Sequence, residues 1–322
     1  MPGEHVLLNG EVIKQGEDLK MVDVSLKKVM LPNGEEMAYR ERSGGEDIVV
    51  LVHGNMTSSV HWDLVIENLS DNYKVYAVDL RGFGESSYNE KITSIKDFSD
   101  DLKAWVDHLG LSNFTLVGWS LGGTVCQQFC ADYPGFSERL FLLASGSSRG
   151  YAYYATKDDG MPDLNMRIET LDEIMNDKKR LLVQSAYDTK NYDLLKQTWD
   201  MLIYQREKPE DERYQKYLED MTAQRNLAEC YQALNIFNIS NAYNGLVEGE
   251  DKVKEIDVPV CIAWGEHDIV VTKAMTEELR EDFGDKAVYK ELKGCGHSPL
   301  IDDLDQLLQV MEEFFSEVES AR

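Results

Sequence analysis

The sequence predicts an α/β fold, a mostly parallel, doubly wound sheet with a helical cap inserted between two of its strands. Three observations predict it. Short, continuous apolar runs recur without polar alternation, as strands buried on both faces require. Stretches of helical period separate them. The alternation then breaks over residues 147–255, a charged, helix-rich segment too long to be a loop.

In chain order, residues 1–22 read as a polar N-terminal extension. "VSLKKVMLPNGEEMAYRER" reads as a hairpin, with Val24, Leu26, Met37 and Tyr39 alternating with polar residues and Pro32-Asn33-Gly34 at the turn. The buried parallel strands are "DIVVLVHG" (47–54), "YKVYAVDL" (73–80), "FTLVGWS" (114–120), "RLFLLAS" (139–145), "VPVCIAWG" (258–265) and "AVYKELKG" (287–294). Helices are expected at 59–69, at 95–110 with Phe98, Leu102, Val106 and Leu109 on one stripe, after Ser120 as far as Pro134, and at 303–318. The core then comprises 23–146 and 256–322, with the cap at 147–255. Ten cap aromatics (Tyr151, Tyr153, Tyr154, Tyr187, Trp199, Tyr204, Tyr214, Tyr217, Tyr231 and Phe237) either pack the cap onto the sheet or line a pocket.

With 322 residues, 43% of them hydrophobic, the chain can bury a sizeable core. Its net charge of −26 sets it against nucleic acid and anionic membrane, because phosphate binding needs clustered cations. The five cysteines include no CxxC pair, which points to buried thiols and to neither a disulfide framework nor a metal site. No basic stretch followed by an apolar run opens the chain, and no segment reaches the roughly 18 apolar residues of a membrane span. A cytoplasmic protein is expected.

The chemistry centres on "VGWSLGGT" (117–124), where Gly118-Trp119-Ser120-Leu121-Gly122 fits G-x-S-x-G. An apolar strand runs into Ser120 and a helix with small residues runs out of it. That is the context in which a sharp, strained turn exposes a serine nucleophile above a sheet. A serine hydroxyl needs a base, an acid to orient the base, and donors for the oxyanion. Of the six histidines, His297 in "GCGHSPL" follows the last strand on a loop that can reach the crevice at the strand ends. Asp268 in "WGEHD" also follows a strand and is the candidate acid, with Glu266 as its rival. The backbone amide of Leu121 is one oxyanion donor. The other is that of Asn55, with Met56 as its rival. Trp119 and Met56 are the candidate substrate contacts. His53 and the loop "DLRGFGESS", with Asp79, Arg81, Gly82 and Gly84, read as loop-shaping residues beneath the site. This chemistry uses no metal and no organic cofactor.

The order Ser120, Asp268, His297, together with "VHGNMTS", "DLRGFGES", "VGWSLGGT", "WGEHD" and "GCGHSP", resembles the α/β-hydrolase superfamily along nearly the whole chain after residue 24. A serine nucleophile disfavours the aspartate-based dehalogenases and epoxide hydrolases of that fold. The "GWSLGG" box is similar to that of the biotin-pathway carrier-protein methyl esterases. It also resembles the box of the intracellular poly(3-hydroxybutyrate) depolymerases of Bacillus type. "HGNMTSSVHWD", "YAVDLRGFG", "LIYQREKPEDERYQKYLEDM", "QRN" and "FNISNAYNGLVEG" resemble that second family too. The resemblance implies a serine ester hydrolase acting through an acyl-enzyme on polyhydroxybutyrate or its oligomers, with the polymer granule as partner and 3-hydroxybutyrate as product. Two other readings stand beside it: a small-molecule carboxylesterase or thioesterase, and a ligand receptor built on the same pocket. Oligomeric state is not legible in the sequence.

Overall fold

The computed structural model describes residues 23–316. The extension expected at 1–22, and the last residues of the final predicted helix, lie outside the described residues. The elements are β1 (Val24–Met30), β2 (Glu36–Arg42), β3 (Asp47–Val52), α1 (Asp63–Asn68), β4 (Tyr73–Val78), α2 (Ile95–Leu109), β5 (Phe114–Trp119), α3 (Leu121–Asp132) and β6 (Ser137–Leu143). An insertion follows, with β7 (Tyr154–Thr156), β8 (Pro162–Arg167), α4 (Leu171–Asn176), α5 (Lys178–Asp188), α6 (Tyr192–Leu202), α7 (Asp211–Met221) and α8 (Leu227–Ile236). The chain then returns to the sheet through β9 (Val260–Gly265), α9 (Lys273–Phe283), β10 (Ala287–Leu292), α10 (Pro299–Asp302) and α11 (Leu304–Ser316).

The main sheet has eight strands in the order β1-β2-β4-β3-β5-β6-β9-β10. β2 runs antiparallel to both neighbours, and every other pairing is parallel. Each predicted parallel strand is found within a few residues of its expected bounds. The apolar runs are explained by the layers. Val50 and Val52 of β3 face one way, onto a core that takes in Phe98, Leu102 and Val106 of α2 and Val125 and Phe129 of α3. Val49 and Leu51 face the other way, onto Val65 and Ile66 of α1 and Leu307, Met311, Phe314 and Phe315 of α11. With both faces covered, a strand of period two shows no polar position. Each such side chain contributes about 1.5–3 kcal/mol by leaving water.

Helix ends follow their chemistry. Ser94 and Asp97 form a capping box at the start of α2, and Gly110, at φ +64°, closes its end. The insertion differs from expectation in one respect. It holds five helices, but it opens with the antiparallel β7–β8 hairpin, which turns at Gly160 (φ +83°). Met161, Leu164 and Met166 of that hairpin are exposed, so no buried apolar stripe in the sequence marks it as strand.

Two buried side chains fix the frame under the site. The Arg42 guanidinium donates to four backbone carbonyls at the end of α1 and the loop beyond: Ile66 (2.9 Å), Leu69 (2.6 Å), Ser70 (2.8 Å) and Tyr73 (2.7 Å). Those of Ile66 and Leu69 are carbonyls that the end of α1 leaves without an intrahelical partner. His53 follows β3. Its Nε2 accepts from the Leu80 amide at 3.0 Å, so Nδ1 carries the proton and donates to the Gly54 carbonyl at 2.7 Å. Burial pushes the His53 imidazole down to about 4.

Arg42→Met should therefore lower the unfolding free energy by about 3 kcal/mol, since buried carbonyls are left unpaired. A urea midpoint equal to the parent's would contradict this. His53 is neutral when folded, whereas its unfolded imidazole takes up a proton near 6.5. Its contribution is full above that value and is lost as pH falls toward 4, by about 3 kcal/mol. His53→Gln should flatten that part of the stability–pH curve. An unchanged slope between pH 6.5 and 4 would count against it.

Candidate active site

Ser120 joins β5 to α3 at φ 56° and ψ −116°, a left-handed backbone that costs a non-glycine residue about 1–3 kcal/mol. The turn closes because its neighbours lack side chains. A Cβ on Gly118 would lie 2.4 Å from the Gly122 carbonyl oxygen, and one on Gly122 would lie 2.2 Å from that of Val52. Ser120 is also held through its backbone: its amide donates to Leu143 at 3.0 Å, and its carbonyl accepts from Gly123 and Gly146. On the far side, a Cβ on Gly54 would come within 3.2 Å of Ser120 Cβ, so the loop carrying Asn55 presses against the serine.

The Leu121 amide stands at the first position of α3, where a helix amide has no intrahelical acceptor. Asn55 is anchored through its side chain, whose Oδ1 accepts from Gln224 Nε2 at 2.8 Å. Met56, the next residue, takes a left-handed φ of 64°.

His297 and Asp268 are brought together from the loops after β10 and β9. Nδ1 of His297 lies 2.8 Å from Oδ2 of Asp268, and both side chains are buried. A carboxylate only accepts, so Nδ1 carries the proton and Nε2 keeps a free lone pair. The other oxygen of Asp268 accepts from the amides of Val270 (2.8 Å) and Val271 (2.9 Å), which locks the carboxylate in place. Trp119 holds the histidine loop as well, its indole N–H donating to the His297 carbonyl at 2.9 Å. Gly296 donates to Asp302 at 2.7 Å. Glu266 sits elsewhere, on the surface, where it accepts from the Gly294 amide and meets Lys293, and these partners hold its carboxyl below the usual range.

Ser120 and His297 line one cavity, together with Asn55, Met56 and Trp119. No hydrogen bond joins the Ser120 hydroxyl to the His297 ring in this structure. Catalytic hydrogen bonds are often long without substrate and tighten when it binds. Leu121 is buried just behind Ser120.

The insertion supplies the opposite wall. Tyr151, Tyr153, Trp199 and Tyr231 line the cavity, whereas Tyr187, Tyr204, Tyr214 and Tyr217 pack among themselves and with Trp199. Tyr151 donates to the Val270 carbonyl at 3.0 Å beside Asp268, and burial pushes its hydroxyl up to about 12. Lys179 also lines the cavity, and nothing in its "NDKKR" context distinguishes it from a surface lysine.

The loop-shaping residues beneath the site are where the sequence puts them. Asp79 accepts from the Ser59 and Glu85 amides, and burial raises its carboxyl. Arg81 pairs with Asp101 through two bonds of 2.6 and 2.5 Å. Gln224, Arg225 and Asn226, between α7 and α8, tie the insertion to this floor. Asn226 donates to the Arg81 carbonyl at 2.7 Å, and the Arg225 amide donates to that of Gly82 at 2.9 Å. Sequence reasoning did not single these three out by role. The five cysteines are buried, and none forms a disulfide. Among the described residues, no helix is long and apolar enough to cross a membrane, and no cluster of His, Cys, Asp or Glu is placed to hold a metal ion.

Comparison with known proteins agrees with this architecture. The family model for the alpha/beta hydrolase fold matches residues 47–304. A 2-hydroxy-6-oxononadienedioate/2-hydroxy-6-oxononatrienedioate hydrolase of Paraburkholderia phymatum is 23% identical over 296 residues, 89% of this chain and 94% of that protein. A soluble epoxide hydrolase of Corynebacterium sp. is 34% identical over 111 residues, 34% of this chain and 38% of its own length. Among solved structures, an esterase from Exiguobacterium antarcticum superposes with a TM-score of 0.67 at 17% identity, covering 90% of this chain and 99% of that one. A bromoperoxidase from Bacillus anthracis gives 0.67 at 20% identity, covering 91% and 100%. At such identities the structural likeness speaks for the fold. The strand order, the serine turn between β5 and α3, and a family match over most of the chain lead to one statement: this chain belongs to the alpha/beta hydrolase fold family.

Proposed function

We propose that the chain is a serine ester hydrolase in which Ser120, His297 and Asp268 form the catalytic triad and residues 147–255 act as a cap over the substrate. The observation that carries this reading is the buried Asp268–His297 hydrogen bond, at the wall of the cavity that Ser120 also lines. The ester carbonyl is attacked by Ser120 Oγ as Nε2 of His297 takes its proton. Asp268 stabilises the imidazolium. The tetrahedral oxyanion is received by the amides of Asn55 and Leu121, each donor contributing about 3 kcal/mol. Nε2 then protonates the leaving alkoxide, and water releases the acyl group by the same route.

For the substrate we take the ester that the sequence resemblance implies: intracellular poly(3-hydroxybutyrate) or its oligomers, cleaved to 3-hydroxybutyrate. The apolar character of the cavity supports a substrate of methyl-bearing ester units. Its roof of cap aromatics favours short chains, and it equally supports a second reading, a small-molecule carboxylesterase or thioesterase. A cytoplasmic location belongs to the polymer reading.

Product release from amorphous polyhydroxybutyrate granules and from 3-hydroxybutyrate oligomers, beside p-nitrophenyl butyrate, separates these readings. Release of 3-hydroxybutyrate by the parent and none by Ser120→Ala supports the first. Cleavage of the p-nitrophenyl ester alone leaves the second. Activity that survives Ser120→Ala rejects the nucleophile. Asp268→Asn should lower kcat by about four orders of magnitude, and Glu266→Gln should leave it near the parent's. The reverse pattern would reassign the acid.

A further inference from the structure

The cavity is apolar in most of its wall, and its one fixed charge stands out against that. Among the described residues that line it there is no aspartate or glutamate, and the one lysine or arginine is Lys179. Lys179 lies in the first turn of α5, two residues after the buried Asp177 that caps the helix. Asp177 is already engaged. It accepts from the Tyr153 hydroxyl (2.9 Å), the Thr156 amide (2.9 Å) and hydroxyl (2.8 Å), and the Lys179 backbone amide (3.0 Å).

The Lys179 ammonium makes no ion pair with it or with any other described residue, whereas neighbouring Lys178 pairs with Asp158 on the outer surface. Lys179 Nζ lies 6.0 Å from the centroid of the Tyr231 ring, another wall residue. Surrounding protein lowers its amine from the ordinary value, although the side chain has exposed surface. Crowded by protein yet open, and bordering the cavity, the ammonium stands at the cavity's mouth.

No described carboxylate lies within ion-pair distance of this solvent-exposed ammonium, so it can meet an anionic group entering the cavity without first leaving a partner. The chain as a whole, at −26, repels anions, so an anionic substrate needs a local cation to enter. We propose that Lys179 binds a carboxylate of the substrate, so that the ester presented to Ser120 is acid-terminated. This rests on the ester-hydrolase reading of the cavity and narrows its substrate class. A linear hydroxyacid oligomer has one free carboxylate, at one end. Lys179 therefore selects attack near that end over attack in the middle of a chain.

The test is binding, which does not depend on turnover. The linear dimer of 3-hydroxybutyrate and its methyl ester are titrated calorimetrically into Ser120→Ala and into the same protein carrying Lys179→Met. A charge-assisted hydrogen bond predicts that the free acid binds at least about tenfold tighter than the methyl ester to Ser120→Ala. That preference should fall to near unity with Lys179→Met, and Lys179→Arg should restore most of it. Equal binding of the two ligands, a preference that survives Lys179→Met, or no binding of the acid at millimolar concentration would each overturn the proposal. Lys179→Gln repeats the measurement with a polar, uncharged side chain, should methionine disturb α5. Loss of the hydrolase reading would show differently, as an unmodified chain that cleaves no ester while the acid preference remains measurable.

Discussion

The site depends on a backbone that can turn at Ser120. A residue at φ 56° and ψ −116° between a buried strand and a helix is strained, and the turn survives only if nothing crowds it. Gly118, Gly122 and Gly123 each lie where a Cβ would meet another atom at 2.4 Å or less. Two of those contacts are with backbone, which cannot swing aside. The same closeness has a chemical consequence. It brings the end of β3, with Asn55, against the serine, and sets the first amide of α3 beside it. The packing that permits the strained turn thus also places the two amides assigned to the oxyanion.

The insertion is joined to this turn by polar contacts as well as apolar ones. Gln224 bonds Asn55, Asn226 bonds the Arg81 carbonyl, and Ser58 donates to Asp220 of α7 at 2.6 Å. His61, stacked on Tyr217, lies with Nε2 3.3 Å from the Asp220 carboxylate. Buried polar bonds of this kind are directional, so they specify one seating of the insertion where apolar packing alone tolerates several. The aromatic wall of the cavity is therefore held in register with the serine. Specificity can be written into α5 and α6 without altering the chemistry below.

Much of this was legible in the sequence, for physical reasons. Buried parallel strands lose their polar positions, so the six apolar runs marked them. Glycines at a turn too tight for a Cβ marked Ser120. Asp268 and His297 stood out as candidates because each follows a strand that delivers it to the open end of the sheet, where the structure sets them 2.8 Å apart. The β7–β8 hairpin was missed because its side chains are exposed and carry no burial pattern. Gln224 and Asn226 were quoted without a role, because their partners lie far away in the chain. Lys179 was missed because a place on the cavity wall without an ion-pair partner is a property of the folded environment. In the sequence it is one lysine of a basic run, beside Lys178, which turns outward.

On the proposed mechanism, the same environment explains why Asp268, and not Glu266, suits an imidazole that must become charged. Asp268 is buried and fixed by two amides, so its pairing with His297 acts in a medium of low dielectric, where a charge is worth more than it is in water. Glu266 is screened by solvent and already shared with Lys293 and the Gly294 amide. A carboxylate so occupied adds little to a proton transfer some distance away, however near it lies in the chain. On the proposed mechanism, the same low dielectric that strengthens the Asp268–His297 pair would leave any unpaired charge in the cavity costly. Lys179, exposed at the rim, escapes most of that cost, which leaves its ammonium open to a carboxylate of the substrate.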